Sequence, residues 1–252
     1  MWKVIALDLD GTLLGHGGQI AAVTIAALGD FAAQGVWITI ATGRGFEDTE
    51  RFMEENGLGS AAGFPHSLIC EERDLYILEN AGYAADEVWN GTLLEREKQA
   101  LPELRRCAAE YGRTAPCFIN SLWFQEKRGF VEMTFGTVEQ AAEFCQQASQ
   151  NGSWPAGFRP VRNHRGVTFR HETVGKGAVL TELLRRLDVT PGEVLAMGDS
   201  HNDLDMLMCG VWPATTDNAD DLIKEVVRSG QGYVSEQVSS LGVADVLKNF
   251  RP

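Results

Sequence analysis

The stretch VIALDLDGTLL, residues 4–14, decides how the rest of the chain is read. Val4, Ile5, Ala6 and Leu7 form an unbroken apolar run that leads into Asp8-Leu9-Asp10-Gly11-Thr12, after which Leu13 and Leu14 resume it. A short continuous apolar run predicts a parallel strand covered on both faces. Asp8 and Asp10 then stand at its end, where a buried carboxylate is costly unless it is paired, hydrogen-bonded or bound to a metal. The stretch is either a polar turn or a site.

Outward from it, strand and helix alternate. Ile20 to Phe31 carries apolar residues at helical spacing, and Val36 to Thr42 is a second strand rich in β-branched residues. Phe46 to Asn56 reads as an amphipathic helix, and Leu68–Cys70 and Leu75–Leu78 as short strands around a polar turn. From about residue 83 to 165 the texture changes to helices (Glu95–Tyr111, Thr137–Gln150) mixed with hairpins (Phe118–Gln125 with Phe130–Phe135, Phe158–Asn163 with Val167–His171). The βα rhythm then returns with a helix at Lys176–Leu187, a strand at Val194–Met197, a helix at Asn202–Met208, a strand at Gly210–Ala214 and a helix at Asp220–Ser229. This pattern predicts an α/β chain with a Rossmann-like doubly wound parallel-sheet core, residues 1–82 and 166–252, interrupted by an inserted α+β cap, residues 83–165.

The chain has 252 residues and a formal charge of −13, a field that repels nucleic-acid phosphates and anionic membranes. An anionic ligand would therefore need local cations. Five scattered cysteines, none at CxxC spacing, predict reduced thiols and a cytoplasmic protein. No basic region leads into an apolar stretch at the N-terminus and no apolar run approaches membrane-spanning length, so neither a signal peptide nor a membrane segment is expected. The phosphate-loop, zinc-protease, EF-hand and nucleophile-elbow patterns are all missing.

In doubly wound sheets, ligands sit outside the carboxyl ends of the strands. The groups expected there are Asp8 and Asp10, then Thr42-Gly43-Arg44, then Gly198-Asp199-Ser200-His201-Asn202-Asp203, with Lys176 opening the helix that feeds the last strand. Each has an ordinary reading as a turn, a cap or a solvated charge, but all would have to coincide at one sheet edge. Two carboxylates ~4 Å apart repel by about 4 kcal/mol at an effective dielectric near 20. A set of Asp8, Asp10 and Asp199 therefore calls for a counter-cation, and oxygen ligands suit Mg²⁺. Lys176, the Thr42 hydroxyl and the Gly43 N–H are suitable phosphate donors.

As a set, these segments resemble the four motifs of the haloacid dehalogenase-like superfamily: DLDGT (residues 8–12), ATGR (41–44), GKG (175–177) and GDSHND (198–203). The long insert and the tails NADDLIK (218–224) and GVADVL (242–247) resemble its Cof-type members, which carry a type IIB cap. The resemblance implies a phosphatase that works through an aspartyl phosphate. It makes Asp8 the nucleophile and Asp10 the acid and then the base. The Asp8 carboxylate, the Asp10 carbonyl and Asp199 would hold Mg²⁺, with Asp203 supporting them directly or through water, and Thr42, Gly43, Lys176 and Asn202 would hold the phosphoryl group. The same motifs serve phosphomutases, and a catalytically idle phospho-ligand-binding regulator is a third reading.

Two places depart from the family pattern. Ser200 stands where glycine is usual. The region where an Asn-Gly segment often follows the third strand reads Pro65-His66-Ser67-Leu68-Ile69-Cys70-Glu71-Glu72-Arg73 here. Arg44, Arg73, Trp123, Arg128, His164 and Arg165 are the basic and aromatic groups expected to select the substrate, a small phosphorylated metabolite and most simply a sugar phosphate. No nucleic-acid or membrane partner is expected.

Overall fold

The computed structural model describes residues 2–15, 18–80, 82–114, 119–125, 130–150, 154–163, 165–172 and 174–251. The strands of the first stretch are β1 (Val4–Asp8), β2 (Trp37–Ala41), β3 (Ser67–Cys70), β4 (Asp74–Glu79) and β5 (Gly82–Ala85), with helices α1 (Ala22–Ala33) and α2 (Phe46–Glu55) between the first three. There follow α3 (Glu87–Thr114), β6 (Ile119–Gln125), β7 (Phe130–Phe135), α4 (Val138–Gln150), β8 (Phe158–Asn163) and β9 (Gly166–His171). The chain closes with α5 (Lys176–Leu187), β10 (Val194–Met197), α6 (Leu204–Leu207), β11 (Trp212–Thr215), α7 (Asp221–Ser229), β12 (Tyr233–Val234) and α8 (Ser239–Asn249).

These elements divide into two units, one of Met1–Asp86 with Gly175–Pro252 and one of Glu87–Val174. The first holds an eight-stranded sheet in the order β12-β11-β10-β1-β2-β3-β4-β5. Its strands are parallel from β12 through β3, and the last two pairings, β3 with β4 and β4 with β5, are antiparallel. Chain order runs outward from β1 through β2 and β3 on one side, and through β10, β11 and β12 on the other. The strand order therefore reverses between β1 and β10, the place where doubly wound sheets bind ligands. Every residue of β1 and of β10 is buried, as their unbroken apolar runs require. Ile5, Leu7, Leu9, Ile38, Ile40, Leu195 and Met197 join the core, each contributing about 1.5–3 kcal/mol by burial.

The second unit is a four-stranded antiparallel sheet, β6-β7-β9-β8, with its own core. Leu101, Leu104 and Ala108 of α3 and Ala141, Phe144 and Ala148 of α4 meet Val131, Met133 and Phe135 of β7 and Val167 and Phe169 of β9. The boundaries expected at 82/83 and 165/166 both move. The first cut falls inside β5, whose partner β4 lies in the large sheet. The second falls before β9, which pairs with β7 and β8.

Other elements also differ from the sequence reading. α3 begins at Glu87 rather than Glu95, because the low-propensity pair Asn90-Gly91 obscures its first turns. The helix expected at Asn202–Met208 is a 3₁₀ turn, His201–Asp203, followed by the single turn of α6. The Asp203 carboxylate draws the chain inward there by accepting the backbone N–H groups of Asp199 and Ser200. β5, β12 and α8 carry too weak a local pattern to be read alone. Among the described residues, no helix is long and apolar enough to cross a membrane.

Candidate active site

The register of the sheet brings the carboxylates together. Leu7 pairs with Met197, and Asp8 with Ala41. Asp8 is thus one position from Thr42 on one side and faces the segment leading to Asp199 on the other. Lys176, the first residue of α5, is fully buried and spans two carboxylates. Its Nζ lies 2.5 Å from Asp8 Oδ1 and 2.6 Å from Asp203 Oδ1. Asp203 Oδ2 accepts the N–H groups of Asp199 (3.0 Å) and Ser200 (3.1 Å), so both of its oxygens hold the loop and the lysine in place. The Thr12 hydroxyl donates to Asp199 Oδ1 at 3.1 Å.

Gly11 makes this crowding possible. Its φ is +89°, and a Cβ there would lie 2.3 Å from Asp199 Oδ2. Any side chain would displace the carboxylate as well as strain the turn.

Burial, and then the charge of Asp203, raise the Asp8 carboxyl well above its usual range despite Lys176. The same two causes push Asp199 up to about 6, while Thr12 opposes them. Burial alone would drive the Lys176 ammonium toward neutrality. Asp203 and Asp8 overcome this and hold it above its ordinary value. Oxygens of Asp8, Asp199 and Asp203 lie within 4.8 Å of one another, and among the described residues no hydrogen-bond partner reaches the buried Asp8 Oδ2. An orphaned carboxylate oxygen in an all-oxygen cluster with raised carboxyls is the environment a hard divalent cation would relieve.

Asp10 is different. Its carboxylate stands outside that cluster, half-exposed, and Arg44 grips it with two hydrogen bonds, Nε to Oδ2 at 2.8 Å and Nη2 to Oδ1 at 2.5 Å. Only the Asp10 backbone carbonyl is left as a ligand of the kind the resemblance implies. Arg44, expected to meet substrate, is engaged with Asp10 and stacks over Phe52 at 5.3 Å from the ring centroid. Arg73 is buried in the β3–β4 turn with its Nε 2.9 Å from Asp74 Oδ1, so its charge is matched inside the turn.

Of the residues expected to hold phosphate, Thr42 and Asn202 both meet Glu72, Thr42 through its carbonyl and Asn202 through its carboxamide. Thr42 is buried, and its Oγ1 accepts the Arg44 N–H at 3.1 Å. Asn202 Oδ1 accepts the Ser200 hydroxyl at 2.5 Å, and its Nδ2 donates to Glu72 Oε1 at 2.8 Å. Trp123 lies in β6 and Arg165 in an exposed turn before β9, both in the second unit. Arg128 and His164 lie outside the described residues. Glu72 and Thr12 are the residues that reading by motif underweights. For Thr12 the signal was its place directly after Asp10-Gly11. For Glu72 it was a pair of glutamates where a tight hairpin turn favours asparagine and glycine.

A switch-point cluster of carboxylates bridged by a buried lysine suits phosphoryl-transfer chemistry. The model of the haloacid dehalogenase-like hydrolases matches residues 5–88 and 120–247, and the chain belongs to that family. It is 40% identical to an HMP-PP phosphatase of Yersinia pseudotuberculosis serotype O:1b (strain IP 31758) over 225 residues, 82% of this chain and 81% of that protein. It is 24% identical to a phosphoglycolate phosphatase of Methanoculleus marisnigri, covering 100% of this chain and 98% of that one. The fold matches the sucrose-phosphatase of Synechocystis sp. PCC6803, solved in complex with sucrose and phosphate, with a TM-score of 0.72 at 15% identity over 98% of this chain and 97% of that one. The chain is a phosphatase of this family.

Proposed function

We propose that the protein is a Mg²⁺-dependent phosphatase of a small phosphorylated metabolite, a sugar phosphate being the first class to test. The observation that carries this reading is the Asp8–Lys176–Asp203 bridge beside Asp199, buried at the sheet's switch point. In the proposed reaction an Asp8 oxygen attacks phosphorus and the ester P–O bond breaks. Asp10 gives its proton to the departing oxygen. Asp10 then takes a proton from water, which attacks the aspartyl phosphate and releases inorganic phosphate with Asp8 restored. Lys176 orients Asp8 and, with Thr42, the Gly43 N–H and Asn202, holds the phosphoryl oxygens. Mg²⁺, held by Asp8, Asp199 and the Asp10 carbonyl, would neutralise charge on the transferring group. In this structure the Asp10 carboxylate is paired with Arg44 outside the carboxylate cluster, so the proposed proton transfer requires that pair to open.

The relatives differ in the substrates their names state, HMP-PP and phosphoglycolate, which supports a metabolite-sized substrate and leaves its choice to experiment. Phosphate release is to be measured over a panel of sugar phosphates, phosphoglycolate and HMP-PP, with and without Mg²⁺. We expect release that needs Mg²⁺ and is lost in Asp8→Asn. An Asp8→Asn variant that turns over as fast as the parent overturns the mechanism.

A further inference from the structure

The turn between β3 and β4 holds a carboxylate that the mechanism above does not use. Glu71 and Glu72 both have left-handed backbone, with φ of +52° and +59°, and Arg73 N closes the turn on Cys70 O at 3.0 Å. Two adjacent positive-φ positions are those of a tight hairpin turn that ordinarily takes asparagine and glycine. Non-glycine residues there cost on the order of 1 kcal/mol or more each and persist where the surroundings hold them. The surroundings here are the phosphate-binding loop. Glu72 N donates to Thr42 O and Glu71 N to Arg44 O, each at 2.9 Å. The Glu72 side chain is buried, at 3% exposure. Its Oε1 accepts Asn202 Nδ2 at 2.8 Å and lies 3.3 Å from where a Cβ on Gly43 would stand. Its charge is also felt by Lys176. The buried Glu72 carboxylate thus hydrogen-bonds Asn202 and bears on the charge of Lys176, while the Glu72 backbone N–H holds the Thr42 carbonyl.

We propose that Glu72 is a positioning and selectivity residue of the phosphoryl pocket: it orients the Asn202 carboxamide and weakens the binding of phosphate dianions. The inference rests on the reading of this site as a phosphoryl pocket. A fixed negative charge beside a site that receives a dianion raises the free energy of the bound state, whereas its hydrogen bond to Asn202 pre-sets a donor. The pocket therefore binds free phosphate weakly and releases product readily, and the leaving group must supply the remaining affinity.

The test separates charge from hydrogen bond. Glu72→Gln keeps an oxygen for Asn202 Nδ2 and removes the charge. Glu72→Asn also removes the charge and suits the left-handed turn, so it provides a folded neutral variant should the glutamine fail. Binding of inorganic phosphate is measured by titration calorimetry in Mg²⁺ on the full chain, and steady-state kinetics on an aryl phosphate are run alongside. Removing one charge this close to a dianion is expected to tighten phosphate binding by about tenfold in both neutral variants. In Glu72→Gln, KM should fall by a similar factor and kcat should change less than threefold. Glu72→Ala, which also frees Asn202, should lose kcat as well, and Glu72→Gln should not. Phosphate binding that is unchanged within twofold, or weaker, in Glu72→Gln and Glu72→Asn overturns the inference. If the parent releases no phosphate from any substrate, the catalytic reading fails, while the calorimetric comparison still decides the role of Glu72.

Discussion

Asp8 and Asp10 stand two residues apart in opposite surroundings. Asp8 is buried against Lys176 with one oxygen unpaired among the described residues, whereas Asp10 is half-exposed and gripped by Arg44. The two asparagine variants should therefore fail differently. Asp8→Asn is expected to lose at least about 10³-fold in kcat, in line with removal of a covalent nucleophile. Asp10→Asn should lose turnover yet retain a phosphoryl adduct on Asp8, visible by mass spectrometry of the acid-quenched enzyme. Asp199 carries a pH signature. Its carboxyl is raised from 3.8 to about 6, so the folded chain binds a proton there that the unfolded chain has released. The metal-free protein should lose this stability as pH rises from 3.8 through about 6. A divalent cation needs the ionised form. The rise in Tm on adding Mg²⁺ should therefore grow between about pH 5 and about pH 7, and disappear in Asp199→Asn. A Mg²⁺ shift that is flat across that window, or intact in the variant, would count against Asp199 as a ligand.

At the scale of elements, helix α5 must approach α6 closely enough to deliver Lys176. Gly177 permits this: its N donates to Asp205 Oδ2 at 3.0 Å, and a Cβ there would lie 2.3 Å from the Asp205 carbonyl oxygen. Gly177→Ala forces two backbones apart, at about 1–3 kcal/mol. Thermal melting should show a drop in Tm of several degrees. Because Lys176 is the adjacent residue, kcat should fall by about 10²-fold. A drop in Tm with kcat preserved would show that Lys176 tolerates the shift. The elements differ in how well they could be read. β1, β2 and β10 were legible because a strand buried on both faces is a continuous apolar run. β12, with two residues, and β5, with one tyrosine among glycine and alanines, offer no such run and form only because a neighbouring strand presents its edge.

At the scale of the molecule, a charge of −13 surrounds a site that receives an anion. Screening this field should help binding. We expect kcat/KM for a phosphate ester to rise about two- to threefold between ~10 mM and ~150 mM ionic strength, with kcat nearly constant. A fall over that range would mean that Lys176 and other local cations dominate the approach of substrate. The chain's division into two units, each with its own core, is also a property at this scale. The change in texture near residue 83 announced the insert, yet its edges were misread, because membership of a sheet depends on pairing. β9 follows the expected boundary and still belongs with β7 and β8.

The sequence by itself determined the parallel core, the positions of Asp8, Thr42, Lys176 and Asp199 at its strand and helix ends, and the chemistry that such a set allows. Those signals are local, since apolar runs, turn residues and short motifs act over a few positions. The tertiary structure alone decided which charged groups meet. Arg44 turns to Asp10, Lys176 bridges Asp8 and Asp203, and Glu72 reaches Asn202 across 130 positions of chain. These contacts depend on which strands become neighbours and in what register. That is set by burial of the whole core and not by any one segment.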